Sequence, residues 1–352
     1  MTDGTTAPLS VRRIWPRLGQ GGVLMAVLVL VVGVAVSIGA VAVPLSSVGL
    51  VVLDRLLPGL VAHDVGAGHA SIIWQIRLPR VILAGLVGAG LGLVGAALQA
   101  VTRNPLADPH LLGISSGAAF GAIAALLHLG MFLGALTVPL VAFGGALMAT
   151  AMVLGVAHLA GARSAERLVL TGVAVSFVVM ACANILIFLG DPRATHTVVF
   201  WMLGGLGMAQ WSHLLWPMAV LLPCGLWLWA QADRLNAMSL GDETASSLGL
   251  NVGRFRLTVF VMAALITGVM VAFSGLIGFV GLMMPHLVRM VCGGDNGRVL
   301  PASAFAGAIF LICADALARV ALAPEDIPIG VVTGLAGGIF FIWIMSRQSG
   351  SR

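Results

Sequence analysis

Ten apolar runs follow one another along the chain and are separated by short polar segments. Each has about the 20 residues that a helix needs to cross the hydrocarbon core of a bilayer. The pattern therefore predicts an all-α, polytopic membrane protein with about ten transmembrane helices. The runs lie at about 23–43, 81–101, 111–129, 136–160, 168–190, 212–232, 256–275, 276–293, 300–321 and 328–346.

Two further segments are apolar but do not look like membrane spans. Residues 46–60 carry the charged pair Asp54 and Arg55, which favours an amphipathic helix at the membrane surface. Residues 195–209 are short and contain three glycines, which favours a partial or re-entrant helix at one face of the membrane.

The first apolar run has a competing interpretation as a signal peptide, because Ala40-Val41-Ala42 resembles a cleavage site. The apolar part of a signal peptide has about 7–15 residues, whereas this run is about 20 residues long. We therefore predict a retained first helix that follows a short cytoplasmic tail at residues 1–21. The whole chain, residues 1–352, is then a single transmembrane domain.

The composition excludes several classes of protein. Hydrophobic residues make up 60% of the chain and charged residues only 9%, whereas soluble domains are about 25% charged. All 18 basic residues are arginines, because the sequence contains no lysine. A P-loop needs a lysine to hold nucleotide phosphates, so the chain cannot hydrolyse ATP by that route. We expect it not to be an enzyme.

The arginines predict the orientation in the membrane, since cytoplasmic loops carry an excess of them. With the N-terminus in the cytoplasm, 5 of the 18 arginines lie outside and the other 13 lie inside, which supports two cytoplasmic termini. The outer arginines are Arg55, Arg77, Arg80, Arg193 and Arg319.

Three of these outer arginines, Arg77, Arg80 and Arg319, need a reason for their position. One interpretation is that their side chains reach the lipid headgroups. The other is that they form ion pairs with carboxylates of an extracytoplasmic partner. Asp315 precedes Arg319 by four residues, so we expect these two to pair on one helix face.

The segment between the second and third helices, RNPLADPH at 103–110, predicts a rigid cytoplasmic turn. Pro105 ends one helix, and Asp108 can cap the next helix with Pro109 at its first position. Such a turn at the inner mouth of a pathway could also act as a gate, with Asn104 and Leu106 narrowing the exit.

The longest hydrophilic stretch, residues 231–256, contains a second candidate site. Residues 240–249 are interpreted as a short amphipathic helix with an apolar edge formed by Leu240, Ala245 and Leu248, and with Gly249 as its C-cap. A helix of this kind can insert into a groove of a partner protein. The alternative is an ordinary solvated loop.

Small and polar residues inside the predicted helices suggest packing more often than chemistry. The glycines at 85, 88, 92 and 95 share one face of the second helix and predict close helix packing. Ser176 and Asn184 either line a pathway or bond to a neighbouring helix. His110 is expected to bond to the backbone rather than to a metal, and no metal site is predicted.

These segments resemble the FecCD-type permeases, the membrane subunits of type II ATP-binding-cassette (ABC) importers for ferric siderophores, haem and cobalamin. The resemblance extends from about residue 70 to near the C-terminus. The matching stretches are RLPR at 77–80, GAALQAVTRNPLADPHLLGISSGAAFGA at 95–122, FWMLGGLG at 200–207, GDETASSLGL at 241–250, SGLIGFVGLMMPHLVR at 274–289, ADALAR at 314–319 and DIPIGVVTGLAGGIFFIWIM at 326–345.

The resemblance implies a homodimer in the bacterial inner membrane, with ten helices per subunit and a pathway at the dimer interface. Two separate ATPase subunits, which bind ATP and magnesium, dock on the cytoplasmic side, and a substrate-binding protein docks outside. This chain then binds no cofactor itself. The cargo is an iron complex, with a ferric siderophore as the first choice and haem or cobalamin as alternatives.

The resemblance also implies roles for particular residues. The loop at about 233–255 carries the coupling helix that meets the ATPase. The arginines that meet the binding protein are Arg77, Arg80 and Arg319, and the cytoplasmic gate residues are Asn104 and Leu106. The coupling residues are Gly241, Glu243, Ala245, Leu248 and Gly249.

Two rival functions are less compatible with the sequence. An ion-coupled secondary transporter needs ionisable residues near the middle of the membrane, whereas Asp191 and Asp315 lie near the outer ends of their predicted helices. An intramembrane enzyme needs a clustered nucleophile and base or a metal motif, and neither HExxH nor GxSxG occurs in the sequence.

Overall fold

The computed structural model describes residues 15–39, 41–58, 65–161 and 165–349. These residues form helices joined by turns, which confirms the all-α class. The helices are α1 (Trp15–Ser37), α2 (Leu45–Leu56), α3 (Ala67–Ser71), α4 (Leu78–Thr102), α5 (Ile114–Ala124), α6 (Thr137–Leu159), α7 (Ala165–Leu189), α8 (Pro192–Met202), α9 (Trp211–Ala230), α10 (Ala232–Leu240), α11 (Asp242–Ser247), α12 (Val252–Ser274), α13 (Val280–Cys292), α14 (Asn296–Ala318) and α15 (Ile329–Ser349).

Each predicted apolar run corresponds to a helix in the described residues. Seven helical stretches are long and apolar enough to cross a membrane, and a π-helical segment, Ile72–Arg77, joins α3 to α4 within the longest of them. Three more apolar helical stretches are shorter, namely Gly22–Ser37, Ile114–Leu129 and Val280–Cys292. The total of about ten membrane spans and the location of the termini stay predictions.

Both of the shorter segments that were set apart from the spans are helical. The predicted surface helix at 46–60 is α2, which buries Val48 and Val51; residues 59–64 lie outside the described residues. The predicted partial helix at 195–209 is α8, which has only 11 residues and begins earlier because Asp191 caps its N-terminus. At 1.5 Å per residue, α8 is about half as long as the bilayer core is thick.

Two boundaries differ from the prediction. The first helix ends at Ser37 rather than near Val43, and residues 1–14 of the predicted tail lie outside the described residues. The hydrophilic stretch at 231–256 is mostly helical, because α10 and α11 lie within it and α12 begins at Val252.

The helix α4 lies at the centre of the bundle, and its glycine face packs against α14 and α13. A Cβ atom on Gly88 would lie 2.1 Å from the carbonyl oxygen of Gly307, and one on Gly95 would lie 2.0 Å from that of Gly281. These backbones therefore touch, which confirms the predicted packing face. The end of the bundle that carries Arg77 is called the outer end below, following the predicted orientation, and the opposite end the inner end.

We expect Gly88→Ala to lower the free energy of unfolding by about 1–3 kcal/mol or more, because α4 and α14 have to separate to admit the methyl group. The measurement is the apparent melting temperature of the purified chain in detergent. The control is Gly144→Ala on α6, where a Cβ meets no atom within 4 Å. Equal melting temperatures for the two variants would contradict the close contact of α4 with α14.

Candidate functional site

Five charged residues meet at the outer end and are called the outer charge cluster: Arg77, Arg80, Asp315, Arg319 and Asp326. Arg80 donates from Nε to Oδ1 of Asp315 at 2.8 Å and from Nη1 to Oδ2 of Asp326 at 2.5 Å. The Nε atom of Arg319 lies 3.1 Å from Oδ2 of Asp315, which confirms the predicted pair. Asp315 is fully buried, and its one carboxylate is shared by two arginines, Arg80 from α4 and Arg319 at the end of α14.

Two arginines of the outer charge cluster cap the end of α1. Arg77 donates from Nη1 to the carbonyl oxygens of Val36 and Ser37, at 2.9 and 3.1 Å. Arg319 donates from Nη2 to the carbonyl oxygen of Ala35 at 2.8 Å. The last carbonyls of a helix lack partners within it and carry partial negative charge, so cations stabilise them. These contacts satisfy carbonyl groups that the end of α1 leaves without helical partners.

The structure therefore places the three outer arginines inside the protein. Arg77, Arg80 and Arg319 are only 6%, 9% and 6% exposed, so their guanidinium groups do not reach towards lipid headgroups, and that interpretation is wrong. Docking of a partner through them stays a prediction. Asp326 is the open member of the acidic pair, with 39% of its side chain exposed. Sequence reasoning missed its role, because it lies 246 positions from Arg80.

At the inner end, the predicted coupling helix is shorter than residues 240–249. Gly241 separates α10 from α11 with φ 125°, a conformation that favours glycine, and α11 covers only Asp242–Ser247. Leu240 therefore belongs to the preceding helix. The C-cap of α11 is Leu248, one residue before the predicted one. Gly249 follows it with φ 82° and donates its N–H to the carbonyl oxygen of Ser246 at 2.9 Å, so it is the left-handed glycine that ends the helix.

The apolar residues of this segment do not form one edge. Ala245 is fully buried, whereas Leu240 and Leu248 are 72% and 69% exposed. The predicted shared edge is therefore wrong for Ala245, which packs inward. Glu243 is exposed like the two leucines. The segment thus presents two leucines and a carboxylate outward at the inner end.

Asp242 connects this segment to the rest of the bundle, and the sequence analysis did not identify it. Arg256 on α12 donates from Nη2 to both carboxylate oxygens of Asp242, at 2.7 and 2.8 Å. Arg103, at the end of α4, has its Nη2 atom 3.9 Å from Oδ1 of Asp242. An acidic residue in the first turn of a short helix was the available signal, but its partners lie far away in sequence.

The turn after α4 has the rigid form that its sequence predicts. The side-chain oxygen of Asn104 accepts the N–H of Leu106 at 2.9 Å, and Oδ1 of Asp108 accepts the N–H of His110 at 2.7 Å. Pro109 begins a short 3-10 helix, Pro109–Leu112, as expected. Leu106 is 58% exposed at the inner end, and its role as a gate stays a prediction.

His110 is bonded to the backbone, which confirms the prediction for this residue. Its Nε2 atom lies 2.8 Å from the carbonyl oxygen of Ile277, in the segment between α12 and α13, and its Nδ1 atom forms a hydrogen bond with Oγ of Ser115. The turn after α4 is thus fixed on one side to the neighbouring helices.

The two candidate pathway residues lie on α7. The hydroxyl of Ser176 donates to the carbonyl oxygen of Gly172 at 2.8 Å, within the same helix. Asn184 is exposed on a face with Phe177 and Phe188, which are 74% and 87% exposed. An amide therefore stands in an apolar surface that nothing in the described chain covers.

The fold and these two ends define a multi-pass, all-helical membrane protein with a short segment of exposed leucines and a carboxylate at its inner end. The model of the FecCD transport family matches residues 25–347. The chain belongs to this family, and it is a permease subunit of a type II ABC importer.

Its relatives include permeases with different cargoes. The chain is 38% identical to the hemin transport system permease protein HmuU of Yersinia pestis, over 97% of this chain and 98% of the relative. It is 39% identical to the vitamin B12 import system permease protein BtuC of Citrobacter koseri, over 86% and 94%. A solved structure described as a metal-chelate type ABC transporter in an inward-facing conformation matches with a TM-score of 0.79 and 30% identity, over 94% and 99%.

Proposed function

We propose that this chain carries an iron complex across the bacterial inner membrane as the permease of an ABC importer. A ferric siderophore is the first choice of cargo, and haem or cobalamin are the alternatives. The observation that carries the importer function is the match over nearly the whole length to permeases for hemin and for vitamin B12. Of these two relatives, the hemin permease supports an iron complex as the cargo. The lack of lysine supports the importer function, because the energy of ATP has to come from a separate subunit.

We propose that two copies form a homodimer with the pathway between them, each with about ten membrane spans and both termini in the cytoplasm. The exposed face of α7 supports this proposal. Asn184 lies on it between two highly exposed phenylalanines, and a polar amide facing hydrocarbon is unfavourable. A second copy or an aqueous pathway, with Ser176 as a further lining residue, would give the amide a polar environment.

We propose that the segment 241–249 is the coupling helix. Leu240 and Leu248 stand exposed at the inner end, and apolar side chains of this size are suited to fill a groove of an ATPase subunit. The exposed carboxylate of Glu243 adds an ion-pairing group, while Gly241 and Gly249 set the bends at either end. ATP and magnesium would bind in the partner, and this chain would hold neither.

Docking of a binding protein at the outer charge cluster requires an exchange of partners. A carboxylate that approaches from outside meets Asp326 first, because Arg77, Arg80 and Arg319 lie beneath the surface. We therefore propose that the carboxylate of the binding protein takes the place of Asp326 on Arg80. Arg80 would then have a carboxylate beside it both before and after docking.

A co-purification experiment tests the importer function. The tagged chain is purified in mild detergent from its native membrane, its partners are identified, and ATPase activity is assayed. We expect a stoichiometric P-loop ATPase, and reconstitution with the binding protein then allows uptake of ferric siderophores, haem and cobalamin to be compared. Uptake by the chain alone, without an ATPase, would contradict the proposal and favour an ion-coupled secondary transporter.

A further inference from the structure

One carboxylate at the inner end stands between arginines from two different helices. Asp242 begins α11 and is 38% exposed at its side chain. Arg256 on α12 is 5% exposed and in direct contact with it at 2.7 Å, whereas Arg103 is 52% exposed and stops 3.9 Å away. Asp242 is thus bound to the buried Arg256. The long, exposed side chain of Arg103 lies near it but does not form a direct hydrogen bond.

The backbone is unusual on both sides of this gap. Arg103 adopts φ 52°, in the left-handed region that non-glycine residues seldom occupy, and Gly241 adopts φ 125°. A Cβ on Gly241 would lie 3.6 Å from Nη1 of Arg103, so the guanidinium group of Arg103 lies beside the backbone that begins α11. Residues held in such conformations concentrate where a protein switches or clamps.

Arg103 also begins the turn at the inner mouth. It is the residue before Asn104, whose side chain fixes the turn through the N–H of Leu106. The far side of the turn is anchored through His110 to Ile277. A pull on Arg103 would therefore move the near side of the turn while the far side stays in place.

We propose that Asp242 is a shared carboxylate that passes the movement of α11 to the turn after α4. In the conformation described, both of its oxygens accept from Arg256; in the other conformation of the transport cycle, one of them closes on Arg103 and displaces Asn104 and Leu106. The proposal rests on the proposed importer function. It makes Arg103 a positioning residue for the gate rather than a part of the pathway itself.

Sharing one carboxylate between two arginines suits a reversible movement. Asp242 keeps an opposite charge beside it in both conformations, so neither one leaves an isolated carboxylate at the protein surface. Attraction between unit charges rises as their separation falls, and a small shift of α11 is enough to close the remaining gap to Arg103. Arg256 donates to both carboxylate oxygens of Asp242, so it can keep one of them while the other closes on Arg103. The buried arginine then retains a carboxylate partner in both conformations, as a buried charge requires.

The decisive variant is Arg103→Asn, because asparagine tolerates the left-handed backbone and removes the charge. The matched control is Arg298→Asn: Arg298 is also 52% exposed and also lies 3.9 Å from a carboxylate, that of Asp295. Each variant is reconstituted with the ATPase and the binding protein, and the ATP hydrolysed per substrate transported is measured.

We expect Arg103→Asn to raise the ATP hydrolysed per substrate about tenfold, a size typical of substitutions in a coupling network, and Arg298→Asn to leave this ratio unchanged. A folding defect would instead lower hydrolysis and transport together. A normal ratio for Arg103→Asn, or an equal rise for Arg298→Asn, would overturn the proposal while the importer function stands. A wild-type chain that transports without an ATPase would overturn both.

A second arm uses Asp242→Asn alone and combined with Arg103→Asn. If both residues act through one contact, the double variant is no worse than the more affected single variant. Effects that multiply would show that Arg103 acts elsewhere and would overturn the proposal. Should Asp242→Asn fail to assemble because the buried Arg256 loses the negative charge of Asp242, the result for Arg103→Asn decides alone.

Discussion

Asp315→Asn is expected to prevent stable folding of the outer end. The carboxylate of Asp315 is fully buried and is shared by Arg80 and Arg319, so the substitution leaves two buried cations with too little negative charge. Removing one partner of a buried ion pair costs about 3–5 kcal/mol. Because Arg319 also caps α1, its loss of position would free the end of that helix as well. We expect little folded chain after detergent extraction.

The measurement is the fraction of monodisperse protein and its apparent melting temperature, with Asp326→Asn as the control. Asp326 contacts the same arginine but is 39% exposed, so water compensates for its charge and the expected effect is small. A stable Asp315→Asn variant would show that the outer charge cluster does not hold the helices together.

Charge reversal at Arg77, Arg80 and Arg319 is a poor test of docking. Arg77 and Arg319 cap α1, so their reversal would destabilise the folded chain and would weaken docking even if these arginines did not contact the partner.

Leu248→Arg is expected to abolish most substrate transport while the chain stays folded. Leu248 is 69% exposed at the end of the proposed coupling helix, so an arginine there meets solvent in the isolated chain. In the assembled importer it would place a charge in the apolar groove of the ATPase. Loss of a central apolar anchor costs about 2 kcal/mol or more, which corresponds to about 30-fold in affinity. Glu243→Arg should act in the same direction, because it replaces the exposed carboxylate proposed to pair with the ATPase by a positive charge.

This prediction is checked by the amount of ATPase that co-purifies and by transport after reconstitution. The control is Leu159→Arg, which adds the same charge at the inner end of α6, where Leu159 is 87% exposed and distant in sequence from the coupling helix. Normal recovery of the ATPase with Leu248→Arg would contradict the assignment of segment 241–249.

Local features of the sequence were sufficient for much of the fold. Apolar runs predicted the helices because a membrane span is defined by its own residues, and the spacing of Gly88 and Gly95 predicted where backbones meet. Asp108 was identified as a cap, and Gly249 as the end of a helix to within one residue, because capping depends on neighbours within a few positions. In each case the physical cause lies within one or two turns of helix.

Contacts between residues that lie far apart in the chain could not be predicted from the sequence. The role of Asp326 depends on Arg80, and that of Asp242 depends on Arg256 and Arg103, and no local pattern identifies such partners. The end of α1 was placed too late for the same reason. The residues after Ser37 are apolar enough to continue a helix, and the arginines that bind its last carbonyl groups lie far away in sequence.

The cap of α1 has a consequence for how the protein is made. Arg77 and Arg319 both bind carbonyl oxygens at the end of α1, yet Arg319 lies 281 positions beyond Ile38, whose carbonyl it also binds at 2.7 Å. During synthesis the first helix therefore enters the membrane long before its last partner leaves the ribosome. Its final seating has to wait until α14 has been inserted, because until then the carbonyl groups of Ala35 and Ile38 lack the arginine that binds them.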